Sequence, residues 1–228
     1  MIDLFTAATP NGQKIHIMLE ECALAYVEHW VDIDEGDQFK PEFLAISPNN
    51  KIPAIVDSEG PDGNPISLFE SGAILVYLAE KTGMFLPSDP EKHWATLKWV
   101  FWQMGGFGPF LGQAHHFNAY APTRIKYAMD RYTNEARRLY SVLDRQLADR
   151  EYVADEYSIA DIAIFPWTRL HGRQGVDMAE FTHVRRWFDA LSMRPAIAKD
   201  MKRTEDIVNG FTEKSWSALF GADQYARR

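Results

Sequence analysis

A small mixed α/β domain followed by an all-α domain is the fold class this sequence predicts, and three observations carry it. Through residues 1–81 short apolar runs alternate with helical stripes, Thr82 to Pro90 interrupts the pattern with one glycine and two prolines, and beyond that point only helical periods occur. The expected division is therefore a first domain at 1–81, a linker at 82–90, a helical domain at 91–205 and a tail at 206–228.

Ile2-Asp3-Leu4-Phe5 reads as a short strand, and Ile15, Met18, Leu19 and Cys22 then recur at i, i+3, i+4 and i+7, the stripe of an amphipathic helix. Tyr26 to Asp32 is strand-like again. An irregular stretch from Gly36 to Pro41 leads to Phe43-Leu44 and then to "NNKIPAIVD", where Pro53 must open the apolar run Ala54-Ile55-Val56, because proline donates nothing to a sheet ladder. The turn-rich segment 57–65 joins that run to Ile66-Ser67-Leu68-Phe69 as a hairpin with a long loop. Gly72 to Lys81 follows as a helix behind Ser71. The order β-α-β, irregular segment, β-β-α is the thioredoxin-like plan of a small mixed sheet flanked by helices.

In the second half Trp94, Leu97, Phe101 and Met104 recur at helical spacing before Gly105-Gly106-Phe107-Gly108-Pro109 bends or interrupts that helix. A long helix is expected from Thr123 to Leu147, with Tyr132, Ala136, Leu139, Tyr140 and Leu143 on its apolar side. Another opens at Ser158, an N-cap whose partner Asp161 reaches back to the Ser158 N–H. The residues after it are almost wholly apolar, so this helix is buried and its cap is a folding determinant, each residue worth on the order of 1 kcal/mol. Pro166 is placed to kink it further along.

Composition excludes several functions. The 228 residues are 46% hydrophobic and carry a formal net charge of −8, which argues against an electrostatic nucleic-acid surface or an anionic-membrane footprint. No run approaches the roughly 20 apolar residues of a membrane span, and Met1-Ile2-Asp3-Leu4-Phe5 lacks the basic start of a signal peptide, so a cytoplasmic location is expected. A single cysteine, Cys22, rules out an internal disulfide framework, a CxxC redox pair and a cysteine-based zinc site. His115 and His116 are adjacent and point about 100° apart on a helix, with no third ligand at metal spacing, so no metal site is expected.

Two helix starts in the first half carry polar residues a core does not need. At Thr9-Pro10-Asn11-Gly12 the exposed N–H groups, the Thr9 hydroxyl and the Asn11 amide can hold a thiolate or another anion; equally, Thr9 or Asn11 can simply cap the helix. At Phe69-Glu70-Ser71-Gly72 the hydroxyl and bare N–H groups suit a carboxylate while Glu70 suits an ammonium, which together match an α-amino-acid end group. If the Ile52-Pro53 bond is cis, the chain turns sharply and Ile52 can pair through its backbone with an extended peptide ligand.

These motifs, in the order "IDLFTAATPNGQKI", "NNKIPAIVD", "LFESGAILVYLAE" and "YSIADIAIFPW", resemble the cytosolic glutathione transferases over nearly the whole chain. "TPNG", "MGGFGPFLGQAHHF" and "DRYTNEARRLYSVLD" are similar to the bacterial Nu class of that superfamily. The resemblance implies a homodimer and a glutathione site with Thr9 and Asn11 near the sulfur, Gln38 and Lys51 near the peptide, Ile52 pairing before cis-Pro53, Glu70 and Ser71 on the γ-glutamyl end, and Arg131 reaching the ligand from the helical domain. It also implies that glutathione itself, reduced or as its disulfide, supplies the redox thiol for small disulfides. The tyrosine, serine or cysteine that other classes use is missing, since Ala7, Ala8 and Thr9 occupy that turn, and Cys22 lies on the apolar stripe about two turns beyond, where it reads as an inert core residue. The leading expectation is a glutathione-dependent disulfide oxidoreductase. The alternatives are conjugation to, or cleavage of, aryl or ether electrophiles, with the aromatic segment Trp94 to Phe117 shaping an acceptor pocket, and a non-catalytic glutathione-binding regulatory protein. This sequence holds no Asn/Gln-rich extension of the kind prion behaviour draws on.

Overall fold

The computed structural model describes residues 1–205, 213–221 and 224–225. They fall into two compact units, Met1–Leu78 with the described residues from Lys199 onward, and Ala79–Ala198. Residues 199–205 thus group with the first unit, not with the helical one as periodicity suggested. The reason is ionic: Lys199 pairs with Glu20 at 2.7 Å, Arg203 with Glu28 at 3.3 Å, and Lys214 with Glu35, while Ser215 donates to Asp34 Oδ2 at 2.9 Å.

The first unit is built on a four-stranded sheet, β1 (Ile2–Thr6), β2 (Tyr26–Trp30), β3 (Ala54–Asp57) and β4 (Ile66–Phe69), in the order β2-β1-β3-β4. β1 runs parallel to β2 and antiparallel to β3, with Leu4 opposite both Glu28 and Ile55; β3 and β4 form the expected hairpin. Helix α1 (Pro10–Glu21) joins β1 to β2, α2 (Pro41–Leu44) precedes β3, and α3 (Ser71–Thr82) follows β4. Leu4, Ile15, Met18, Leu19, Ile55, Ile74 and Leu75 are fully buried, so the stripe read on α1 is its core face. Cys22, however, is the C-cap of α1 and only half-buried, because the helix ends there and the chain turns away through Ala23 at φ 49°. Val31, Phe43 and Ala54 make a smaller core on which Phe5, Ile46, Ile52 and Phe69 pack, and this cluster seats the two strand ends that face the site.

The second unit contains α4 (Pro90–Trp102), α5 (Gly108–His115), α6 (Lys126–Gln146), α7 (Ile159–Thr168) and α8 (Thr182–Ser192). Helix α9 (Pro195–Arg203) spans the second division, and α10 (Glu213–Phe220) belongs to the first unit. The interruption expected at the glycines is a π-helical turn, Gln103–Phe107, between α4 and α5. Asp89 caps α4 through the Lys92 N–H at 3.0 Å. α7 is buried along nearly its whole length and opens with the expected capping box, in which the Ser158 N–H donates to Asp161 Oδ2 at 3.1 Å and the Ala160 N–H to Ser158 Oγ at 3.3 Å. Pro166 lies inside α7, two residues before its end, and is buried. Of the aromatic segment, Phe107 is wholly buried against Trp102 and Tyr140, whereas Trp94 and Phe101 are 66% and 67% exposed.

Candidate functional site

The site forms where three turns of the first unit meet: the start of α1, the approach to β3 and the β4–α3 junction. A cavity of about 140 Å³ there is lined by Asn11, Asn49, Lys51, Ile52, Pro53, Phe69, Glu70 and Ser71. Six of these, Asn11, Lys51, Ile52, Pro53, Glu70 and Ser71, were read as site residues from the sequence.

Each turn has a local cause. Thr9 is the N-cap of α1 and accepts the Gly12 N–H at 3.2 Å, so the capping alternative holds for Thr9 while the adjoining Asn11 faces the cavity. Gly12 is required by packing: a Cβ there would stand 2.3 Å from the Ala7 carbonyl oxygen and 2.5 Å from Thr6 Oγ1, so only glycine lets the helix start press on the end of β1. The Ile52-Pro53 bond is cis, and Pro53 is buried immediately before β3, where its missing N–H costs no ladder bond. Glu70 stands at φ 72°, a left-handed conformation uncommon for a residue with a Cβ, and its carbonyl accepts the Ile74 N–H at 3.0 Å. Strain of this sort, on the order of 1–3 kcal/mol, is concentrated at functional sites. Here it swings the Glu70 side chain outward while Ser71, 6% exposed, starts α3.

Lys14, which sequence reading passed over, lies behind these residues. It is 1% exposed, and its Nζ donates to Ser71 Oγ at 3.3 Å, tying α1 to the start of α3. Burial pulls its pKa down to about 7, against the nearby Glu70 carboxylate, which raises it. The signal was present: Asn11, Lys14 and Met18 follow i, i+3, i+7 and share a face of α1. Asn49 and Phe69 were missed too, although both lie within quoted motifs. Lys51 donates to Gln224 Oε1 at 3.4 Å, and partial loss of hydration lowers its pKa.

Three expected residues are not among those lining the cavity. Thr9 is engaged as the cap. Gln38 is buried in the turn Asp37–Phe39, ordered by the Asp32 and Asp37 carboxylates, and donates to the Ile33 carbonyl at 3.4 Å. Arg131 is exposed on α6 in the second unit. Among the described residues no group of three or more His, Cys, Asp or Glu could hold a metal ion, and no helix is long and apolar enough to cross a membrane.

An anion-favouring helix start, a backbone turned outward before a strand and an acid–hydroxyl pair at a second helix start are suited to a small peptide with a free α-amino-acid end. Comparison with known proteins agrees with that chemistry. Residues 8–81 match the family model for the glutathione S-transferase N-terminal domain and residues 109–195 that for the C-terminal domain. The chain is 53% identical over 207 residues to the disulfide-bond oxidoreductase YfcG of Escherichia coli, covering 90% of this chain and 96% of the relative. It is 47% identical to the disulfide-bond oxidoreductase YghU of the same organism, over 91% of this chain and 77% of the relative. Among solved structures, a glutathione transferase from Pseudomonas putida, with one glutathione disulfide bound per subunit, superposes with a TM-score of 0.85 at 49% identity, over 88% of this chain and 90% of its own. One from Burkholderia graminis, with two glutathione molecules bound per subunit, does so with a TM-score of 0.84 at 44% identity, over 88% and 87%.

Proposed function

Because the chain belongs to the glutathione S-transferase family, we propose that it is a glutathione-dependent disulfide oxidoreductase in which bound glutathione is the working thiol. The observation that carries the reading is the pairing of the cavity with the position of the only cysteine. Asn11 lines the cavity, whereas Cys22 is the C-cap of the same helix, 11 residues on, which is about 16 Å along the axis. The redox sulfur is therefore brought by the substrate.

In this reading Glu70 holds the γ-glutamyl ammonium, Ser71 and the α3 N-terminus hold its carboxylate, and Ile52 pairs with the peptide through its backbone. Lys51 lies alongside, and Gln38 serves the peptide after turning from the Ile33 carbonyl. Asn11, with the Thr9 hydroxyl, whose oxygen accepts the Gly12 N–H while its hydrogen remains to donate, stabilises the thiolate at the α1 start. The thiolate attacks one sulfur of a small disulfide, forming a mixed disulfide and releasing the other half as a thiolate, which takes up the proton the first glutathione lost. A second glutathione attacks the glutathione sulfur of that mixed disulfide and expels the remaining half as a thiol, so that two glutathiones become one glutathione disulfide. The protein acts as a homodimer in the cytoplasm.

The test is steady-state reduction of a small hydroxyalkyl disulfide by glutathione beside conjugation of an aryl halide, with wild type, Cys22→Ala and Asn11→Ala. Disulfide reduction dominates, survives Cys22→Ala and falls in Asn11→Ala. Dominant conjugation would favour the transferase alternative. Tight glutathione binding without turnover would favour a regulatory protein.

A further inference from the structure

The described residues of the C-terminal tail are not absorbed by this mechanism, yet they meet the first unit at two places beside the cavity. At its start α10 is tied to the loop after β2: Ser215 donates to Asp34 Oδ2 at 2.9 Å, and Lys214 pairs with Glu35. That loop leads directly into the turn that holds Gln38. Past the end of α10 the chain turns at Gly221, whose N–H donates to the Ser217 carbonyl at 3.0 Å and whose carbonyl accepts the Gln224 N–H at 3.3 Å. A Cβ on Gly221 would stand 2.8 Å from Ser217 Cα and from the Ser217 carbonyl oxygen, so the turn closes this tightly only with glycine. It brings Gln224 Oε1 to 3.4 Å from Lys51 Nζ, 173 residues away along the chain.

Lys51 lines the cavity and immediately precedes Ile52, whose backbone is read as pairing with the peptide. Glutathione carries a second carboxylate, on its glycine, at the end opposite the γ-glutamyl group, and an ammonium suits it. A lysine side chain is long and has much rotamer freedom to lose, so a contact that holds it in place before the ligand arrives removes part of the cost of binding. Gln224 makes that contact with a neutral acceptor, which leaves the charge of the lysine for the ligand.

We propose that the C-terminal segment sets the peptide end of the site, with Gln224 as the positioning residue that holds Lys51 for the glycyl carboxylate, and that it thereby makes the protein selective for the tripeptide over γ-glutamylcysteine. The inference rests on the reading that the cavity takes glutathione. A purely structural role for Gln224 would change the affinity for both ligands alike; a role exercised through Lys51 changes it only where the glycyl carboxylate is present.

The experiment is titration calorimetry of the full chain with S-methylglutathione and with S-methyl-γ-glutamylcysteine, which lacks the glycine, for wild type, Gln224→Ala, Lys51→Met and the double variant, each checked for native circular dichroism. Wild type is expected to bind the tripeptide roughly tenfold or more tightly than the dipeptide, and Lys51→Met to lose most of that preference. Gln224→Ala is expected to bind the tripeptide about fivefold more weakly and the dipeptide as wild type does, and the double variant to bind the tripeptide no more weakly than Lys51→Met alone. Unchanged tripeptide affinity in Gln224→Ala or in Lys51→Met, equal weakening of both ligands by Gln224→Ala, or full additivity in the double variant overturns the role of Gln224 and leaves the glutathione site standing. No binding of either ligand by wild type overturns both.

Discussion

Replacing Asp161 tests how the helical unit is held together. Its carboxylate is fully buried and accepts the Val153 N–H at 3.0 Å, the Ser158 N–H at 3.1 Å and the Trp187 indole N–H at 2.8 Å, joining the α7 cap to the preceding loop and to α8. Asp161→Ala leaves three buried N–H donors unmatched, with the Ser158 hydroxyl that donates to Oδ2 at 3.3 Å; at about 1–3 kcal/mol for each N–H, offset in part by relaxation and by removing a buried charge, the expected loss is about 4 kcal/mol. That is well above the 1 kcal/mol order of an ordinary cap. Asp161→Asn keeps an oxygen for two donors and turns its amide towards the Ser158 N–H, for an expected loss of about 2 kcal/mol. Burial outweighs these hydrogen bonds and pushes the Asp161 pKa up from 3.8 to about 6. A raised carboxyl pKa means that the folded state holds its proton more tightly than the unfolded chain. Wild type therefore loses up to about 3 kcal/mol relative to the non-titrating Asn variant as pH rises from about 4 to about 6, and the gap between them narrows towards neutrality. Urea unfolding followed by far-ultraviolet circular dichroism at pH 4.5, 6 and 7.5 reads both effects. A loss of 1 kcal/mol or less for Asp161→Ala at neutral pH would refute the shared-carboxylate account, and a gap that widens with pH would refute the direction of the shift.

Other substitutions probe the site. Gly12→Ala places a methyl 2.3 Å from the Ala7 carbonyl oxygen, so the start of α1 must move; a stability loss of about 2–4 kcal/mol by urea titration, with glutathione affinity falling alongside, is expected. In the absence of ligand, Lys14→Met is more stable than wild type below pH 7 by up to about 5 kcal/mol, because burial lowers the lysine pKa from 10.5 to about 7; the advantage fades as pH rises through that window, which unfolding midpoints at pH 6, 8 and 9.5 would show. Glu70→Gln removes the ammonium partner while keeping the shape, and should raise KM for glutathione roughly tenfold or more without a matching fall in kcat, as steady-state kinetics would show.

The sequence by itself determined whatever depends on neighbours along the chain. Apolar spacing marked α1, α3 and α6, Ser158 and Asp161 marked the capping box, Pro53 marked the opening of β3, and the polar residues at the α1 and α3 starts marked Asn11, Glu70 and Ser71 of the cavity lining. Each is a short-range constraint, set by helical period, an orphan N–H or a missing donor, and is written within a few residues. Only the tertiary structure decided which side chains are shut off from water and which distant groups they meet. Nothing along the chain marks Lys14 as buried; α3, whose Ser71 is 57 residues away, is set against α1, and burial then sets the proton affinity of the lysine. Gln38 could not be known to turn onto Ile33, nor Asp161 to collect Val153 and Trp187, nor Lys199 and Arg203 to pair with Glu20 and Glu28 across more than 170 residues of chain. Desolvation and long-range pairing depend on three-dimensional surroundings, and no local pattern encodes those.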